Sequence, residues 1–137
     1  MELLIASERR ATRRAAIVEC QAVRERGFRL LGTRAIDLSI EGMLVLTSAR
    51  PLTGEPVIVS FRIPDTDVWI DATATIARTV HGRREGDPGR AVGLRFDPLD
   101  GATIRRMRAA LERFPPTYPY RAPRVDYAAT AAMIALS

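Results

Sequence analysis

Residues 57–63, Val57-Ile58-Val59-Ser60-Phe61-Arg62-Ile63, put Val57, Val59, Phe61 and Ile63 on one side of an extended chain and Ile58, Ser60 and Arg62 on the other. That is the period-two pattern of a strand with one buried face. Pro64-Asp65-Thr66-Asp67 then supplies turn chemistry, and residues 68–80 form a long run rich in β-branched side chains such as Ile70, Thr73, Thr75, Ile76 and Val80. The pair reads as an antiparallel hairpin.

Working outward, the same pattern recurs on both sides. Toward the N-terminus, Val18, Cys20 and Ala22 alternate with Glu19 and Gln21, and Gly27 marks a turn. Residues 28–38 read as a second extended run, residues 42–47 (GMLVLT) as a third, and Pro51 and Gly54 mark a loop. Toward the C-terminus, residues 81–89 (HGRREGDPG) read as a polar hairpin loop and residues 91–96 (AVGLRF) as a last strand. Five or six strands within about 80 residues, with no helical pattern between them, indicate an all-β antiparallel barrel or sandwich. One helix follows, from Leu99 or Asp100 to Phe114. Asp100 is placed to cap it, and Ile104, Met107, Leu111 and Phe114 form a stripe that should lie on the sheet. Pro115, Pro116, Pro119 and Pro123 impose an extended linker, and residues 128–136 (AATAAMIAL) form a short apolar helix candidate, too short to stand alone. The expected organisation is an arginine-rich segment 1–14, a domain 15–114 and a Pro-rich tail 115–137.

Composition narrows the function. The chain has 137 residues, 47% apolar and 27% charged, which suits one folded domain. No apolar run approaches the roughly 20 residues that span a bilayer, and residues 1–7 lack the layout of a secretory signal, so a cytoplasmic address is expected and no membrane partner. With one cysteine, Cys20, and one histidine, His81, neither an internal disulfide nor a His/Cys metal cluster is expected. No catalytic residues stand out, because no spacing singles out an acid and a base. All 21 basic residues are arginine. Residues 1–14 hold four of them against two acids and residues 98–114 four against two, while residues 15–97 balance eleven against eleven. A protein that tracks a nucleic-acid backbone spreads its excess along a face, whereas this clustering suits a compact anion.

Two constellations carry chemistry. In Glu8-Arg9-Arg10-Ala11-Thr12-Arg13-Arg14, guanidinium groups can pair two-pronged with phosphate and stack on purine faces. In Asp37-Leu38-Ser39-Ile40-Glu41-Gly42, the carboxylate can accept from the paired N–H donors of guanine. The hydroxyl adds a further bond, and the glycine permits a positive φ or a close approach. Asp37 and Ser39, two apart in an extended segment, face the same way. An ordinary side-chain-assisted turn would use the same residues.

Together these motifs resemble the PilZ domain family, which carries an R-x-x-x-R segment before the first barrel strand and a D/N-x-S-x-x-G segment further on. The resemblance runs over about residues 8–114, including Gly93-Leu94-Arg95-Phe96 and the helix. It implies a six-stranded antiparallel β-barrel with a C-terminal α-helix and an extended tail. It also implies binding of cyclic di-GMP, with Arg10 and Arg14 on phosphates and guanine faces, Asp37 and Ser39 on a guanine edge, and Gly42 beneath. Arg9 and Arg13 satisfy the same spacing. Arg9 also looks like the additional arginine of members that take up an intercalated pair of ligand molecules. The implied function is a non-enzymatic receptor, with no cofactor beyond this ligand, that changes conformation and signals to a partner protein. The alternative is a PilZ-fold adaptor that acts through protein contacts without nucleotide.

Overall fold

The computed structural model describes residues 12–82 and 89–116. The expectations for Arg9, Arg10, the tail beyond Pro116 and most of the polar hairpin loop lie outside those residues. Among the described residues six strands, β1 (Arg14–Arg24), β2 (Leu30–Ser39), β3 (Gly42–Leu46), β4 (Pro56–Arg62), β5 (Trp69–His81) and β6 (Arg90–Phe96), precede one helix, α1 (Gly101–Leu111). The strands close into a barrel in the order β1-β2-β3-β6-β5-β4, every pair antiparallel. The six-stranded antiparallel β-barrel with a C-terminal helix is therefore the observed architecture.

The alternation in the sequence fills the barrel. Val18, Cys20 and Ala22 from β1, Val57, Val59 and Phe61 from β4 and Ile76 and Leu94 from β5 and β6 are buried in one core, where removal of apolar surface from water is the main stabilising term. The rings of Phe61 and Phe96 stack there with centroids 5.3 Å apart. Cys20 belongs to this interior, and burial pushes its thiol up to about 11, so it is packing and not a reactive group.

Helix α1 starts where the sequence indicates, with the Asp100 side chain accepting from the Thr103 amide at 2.7 Å. Met107, Ala110 and Leu111 are buried against the barrel core. The helix stops at Leu111, three residues short of the expected Phe114. Pro115 disfavours helical geometry at the residue before it, and the Phe114 amide instead closes a tight last turn onto the Leu111 carbonyl. The second extended run also starts later than expected, at Leu30. Residues Arg26–Phe28 form a 3-10 turn, with Phe28 at φ 51°, so Phe28 is part of the turn and not of the strand.

Candidate functional site

The outer wall of the barrel formed by β2, β3, β6 and β5 carries two cross-strand rows. In the first, Asp37 on β2 pairs in register with Leu44 on β3, Leu44 with Gly93 on β6, and Gly93 with Arg78 on β5. In the second, Ser39 pairs with Gly42, Gly42 with Arg95, and Arg95 with Thr75. Residues paired in this way present their side chains on the same face of the sheet.

Two irregularities put the polar groups on that wall. Between Ala35 and Asp37 the register of β2 against β3 shifts, and between Ile76 and Arg78 that of β5 against β6 shifts. Ala35 and Ile76 belong to the barrel core, and strict alternation from them would turn Asp37 and Arg78 inward as well. The extra residue in each strand, Ile36 in one and Ala77 in the other, re-aims the next side chain outward, as β-bulges do. Gly93 then leaves room between the two. A Cβ there would stand 2.9 Å from Arg78 Cγ and 3.1 Å from its Nε, so the Arg78 side chain lies across Gly93 and brings its charge toward Asp37.

Asp37 is buried, 5% exposed. Its Oδ1 accepts from the Leu44 amide at 2.9 Å and from Arg13 Nη1 at 3.1 Å. Burial raises its carboxyl above the ordinary aspartate range, a rise held back by the Arg13 charge, by the Leu44 amide and by Arg78. Ser39 accepts from the Glu41 amide at 3.0 Å, a local turn bond that leaves the hydroxyl proton to donate elsewhere. Gly42 is absent from the positive-φ positions. Its requirement is close approach, since a Cβ would stand 1.9 Å from the Leu94 carbonyl oxygen of the paired strand.

Arg14 pairs in register with Leu38, and Ala15 with Asp37, so the arginine segment enters the barrel beside the acid–hydroxyl motif. Of the two adjacent arginines, Arg13 meets Asp37, whereas Arg14 Nη1 donates to the Phe114 carbonyl at 3.1 Å. The Ala15 amide donates to the Pro115 carbonyl at 2.7 Å, and Arg14 bridges to Pro116. The second motif arginine is thus fastened to the chain that leaves the helix. Arg13, Asp37, Ser39 and Gly42 come together on one wall, with Arg14 beside them.

Arg78 and Arg95 share this wall, although neither belongs to the arginine segment or to the acid–hydroxyl motif. Arg95 stands out from period-two placement opposite Gly42. Arg78 has no such signal, because its bulge is invisible without the partner strand.

The PilZ domain model matches residues 8–113 of the chain. Among solved structures, the inhibitor of motility MotI/DgrA of Bacillus subtilis superposes with a TM-score of 0.62 at 17% identity, over 77% of this chain and 50% of that one. The chain therefore spans half the length of that protein. The PilZ domain of YcgR from Escherichia coli, solved with c-di-GMP, superposes with a TM-score of 0.56 at 22% identity, over 77% of this chain and 92% of that domain. No curated protein matches the chain. At these identities the two structures speak for the shared barrel, and the family match, which covers most of the residues from the arginine segment to the end of the helix, makes this chain a member of the PilZ domain family.

Proposed function

We propose that this PilZ domain is a non-enzymatic cyclic di-GMP receptor that works in the cytoplasm and reports ligand occupancy to a partner protein. The observation that supports this most directly is the pair between Arg13 and Asp37 at 3.1 Å, because it joins the arginine segment to the strand that bears the acid–hydroxyl motif.

The ligand presents two phosphodiester charges and two guanines. Arg9, Arg10 and Arg14 bind its phosphates and stack on its bases, which planar, permanently charged guanidinium groups do better than lysine. Asp37 accepts from a guanine's ring and exocyclic N–H groups, Ser39 donates or accepts beside it, and Gly42 keeps the floor of the site low. Arg78 and Arg95 extend the cationic wall under the second base. The additional arginine, Arg9, suits an intercalated pair of ligand molecules per chain.

The signal leaves through Arg14. A phosphate competes with the Phe114 carbonyl for this guanidinium, and it offers a full opposite charge and two-pronged pairing that a single backbone carbonyl does not. Recruitment of Arg14 to the ligand removes one fastening of the chain beyond α1, and the altered C-terminal segment is what the partner senses. Isothermal titration of the full chain with cyclic di-GMP tests the reading. Two ligands per chain are expected, with Arg10→Ala and Asp37→Ala each weakening binding by about a hundredfold, roughly 2.7 kcal/mol. A titration that shows no heat, or one that both substitutions leave unchanged, rejects it.

A further inference from the structure

The wall of the barrel opposite the proposed nucleotide site carries a second surface. Leu30 on β2 pairs in register with Val23 on β1, Val23 with Ile58 on β4, and Ile58 with Thr73 on β5. Paired residues share a face, and here the face is the outer one: Leu30 is 57% exposed and Ile58 39%. Apolar side chains that line up across strands in water differ from scattered surface ones, because together they form a continuous patch. At its Ile58 end the row meets a groove of about 510 Å³ that follows β5 from Ile70 to Thr73 and continues to the start of α1. Ile58, paired with Thr73, stands at its outer lip, while Ile70, paired with the buried Phe61, and Leu99 pack against the core beneath it.

The rim of this groove is acidic. Asp71, Asp97 and Asp100 all line it, in a chain whose formal charge is +5. The three are held in place by side chains and backbone of the fold. Asp71 accepts from the Ser60 hydroxyl and Asp97 from the Thr73 hydroxyl, while Asp100 caps the helix through the Thr103 amide. Among the described residues no group of three acidic, histidine or cysteine side chains is close enough together to hold a metal ion. The carboxylates are spread along the rim, which suits an extended occupant better than a point charge.

We propose that this groove docks a partner protein through a segment in which an apolar anchor is flanked by lysine or arginine. The anchor packs on Ile58 at the outer lip of the groove and reaches toward Ile70 and Leu99, which close it against the core, and the basic side chains face Asp71, Asp97 and Asp100. Charge complementarity selects this occupant. A membrane surface, which carries negative charge, and an acidic segment are both repelled by the same rim. The proposal stands apart from the nucleotide reading, since the groove shares no residue with the site around Asp37.

The test uses the full chain, labelled with 15N, and a synthetic amphipathic 14-residue peptide of leucine and lysine, with no nucleotide present. Saturable amide shifts confined to Ile58, residues 70–73 and residues 97–103 are expected. A leucine–glutamate peptide and vesicles of anionic lipid should cause none. Binding should weaken at least tenfold in the Asp71→Asn, Asp97→Asn double variant and in Ile58→Arg, whose spectra report in the same experiment whether the barrel is intact. Absence of binding, shifts located elsewhere, or equal binding by the folded variants overturns the proposal. So does binding that emerges only when residues 117–137 are removed, which would assign the groove to the chain's own tail. A mass that rises with concentration and hides the groove would assign it to a second copy.

Discussion

Arg14 and Phe114 stand 100 positions apart in the chain, and the guanidinium of the first donates to the backbone carbonyl of the second at 3.1 Å. One residue of the proposed ligand site thereby holds the end of the helix segment. The contact is a single hydrogen bond from a charged donor to a backbone carbonyl, worth about 1.5 kcal/mol net, which is the range in which an anionic ligand can exchange it.

Arg14→Ala should therefore loosen the C-terminal chain without unfolding the barrel. Amide exchange at Ala15 and Phe114, which donate to Pro115 and Leu111, should quicken about tenfold, the factor that about 1.4 kcal/mol corresponds to. Saturating cyclic di-GMP should do the same in the native chain. Exchange at these two amides that neither the substitution nor the ligand alters would contradict the coupling.

Asp37 separates stability from binding. Burial, the largest influence on it, raises its folded carboxyl above the ordinary value, which is about 3.9 in an unfolded chain. The folded state then binds more proton than the unfolded one between those two values. Stability from this group is complete below the unfolded value and declines as pH rises through the folded one. Asp37→Asn, neutral at every pH, should leave stability at pH 7 within about 1 kcal/mol of the native chain or above it, while losing nucleotide. Asp37→Ala leaves the buried Leu44 amide without its acceptor and should lower stability by about 1–3 kcal/mol. Chemical denaturation at several pH values checks both. A markedly less stable Asn variant would contradict this account.

Glu55 shows the opposite sign. Arg24 pairs with it through Nε at 2.6 Å and Nη2 at 3.1 Å, and the Leu52 amide donates to the same carboxylate. The Arg24 bond, followed by the amide, holds the carboxyl below its usual range. Its contribution is present above the unfolded value, about 4.3, and is lost as pH falls through the folded one. Glu55→Gln should lower the thermal midpoint most at pH 7, and the difference from the native chain should shrink in acid. Nucleotide affinity should stay unchanged, since Arg24 and Glu55 lie at the far end of β1 from Arg14. A pH-independent difference would show that the ion pair is not its source.

Gly93 tests the part played by Arg78. An alanine Cβ would meet Arg78 Cγ at 2.9 Å. Because that neighbour is a flexible side chain, the barrel can keep its fold while Arg78 is pushed off its path toward Asp37. Gly93→Ala and Arg78→Ala should weaken cyclic di-GMP by a similar factor of about ten, or 1.4 kcal/mol, with circular dichroism unchanged. Equal affinity in the native chain and in both variants would remove Arg78 from the site.

Particular residues show how far the sequence carried the fold. The alternation of Val57, Val59, Phe61 and Ile63 reports one buried face directly, and all four are buried. Asp100 announced the helix start through its capping chemistry. Phe28 was misplaced because strand propensity scores an aromatic residue well, while the conformation of the turn around it is set by closure of β1 onto β2. The wall that brings Asp37 and Arg78 together was out of reach for a different reason. Each is aimed by a bulge, and a bulge is defined by the neighbouring strand and not by the residues of its own segment. The link between Arg14 and Phe114 was hidden likewise, since a bond to a backbone carbonyl leaves no mark on side-chain identity.

The most direct measurement of the central claim is a titration of the 15N-labelled full chain with cyclic di-GMP, followed residue by residue. The account predicts saturable changes on the wall that carries Asp37, Ser39, Leu44, Gly93 and Arg95, together with the side-chain signals of the N-terminal arginines, and little change at Ile58 or Thr73. A spectrum that does not respond, or changes centred on Ile58 and Thr73 with the Asp37 wall silent, would contradict it.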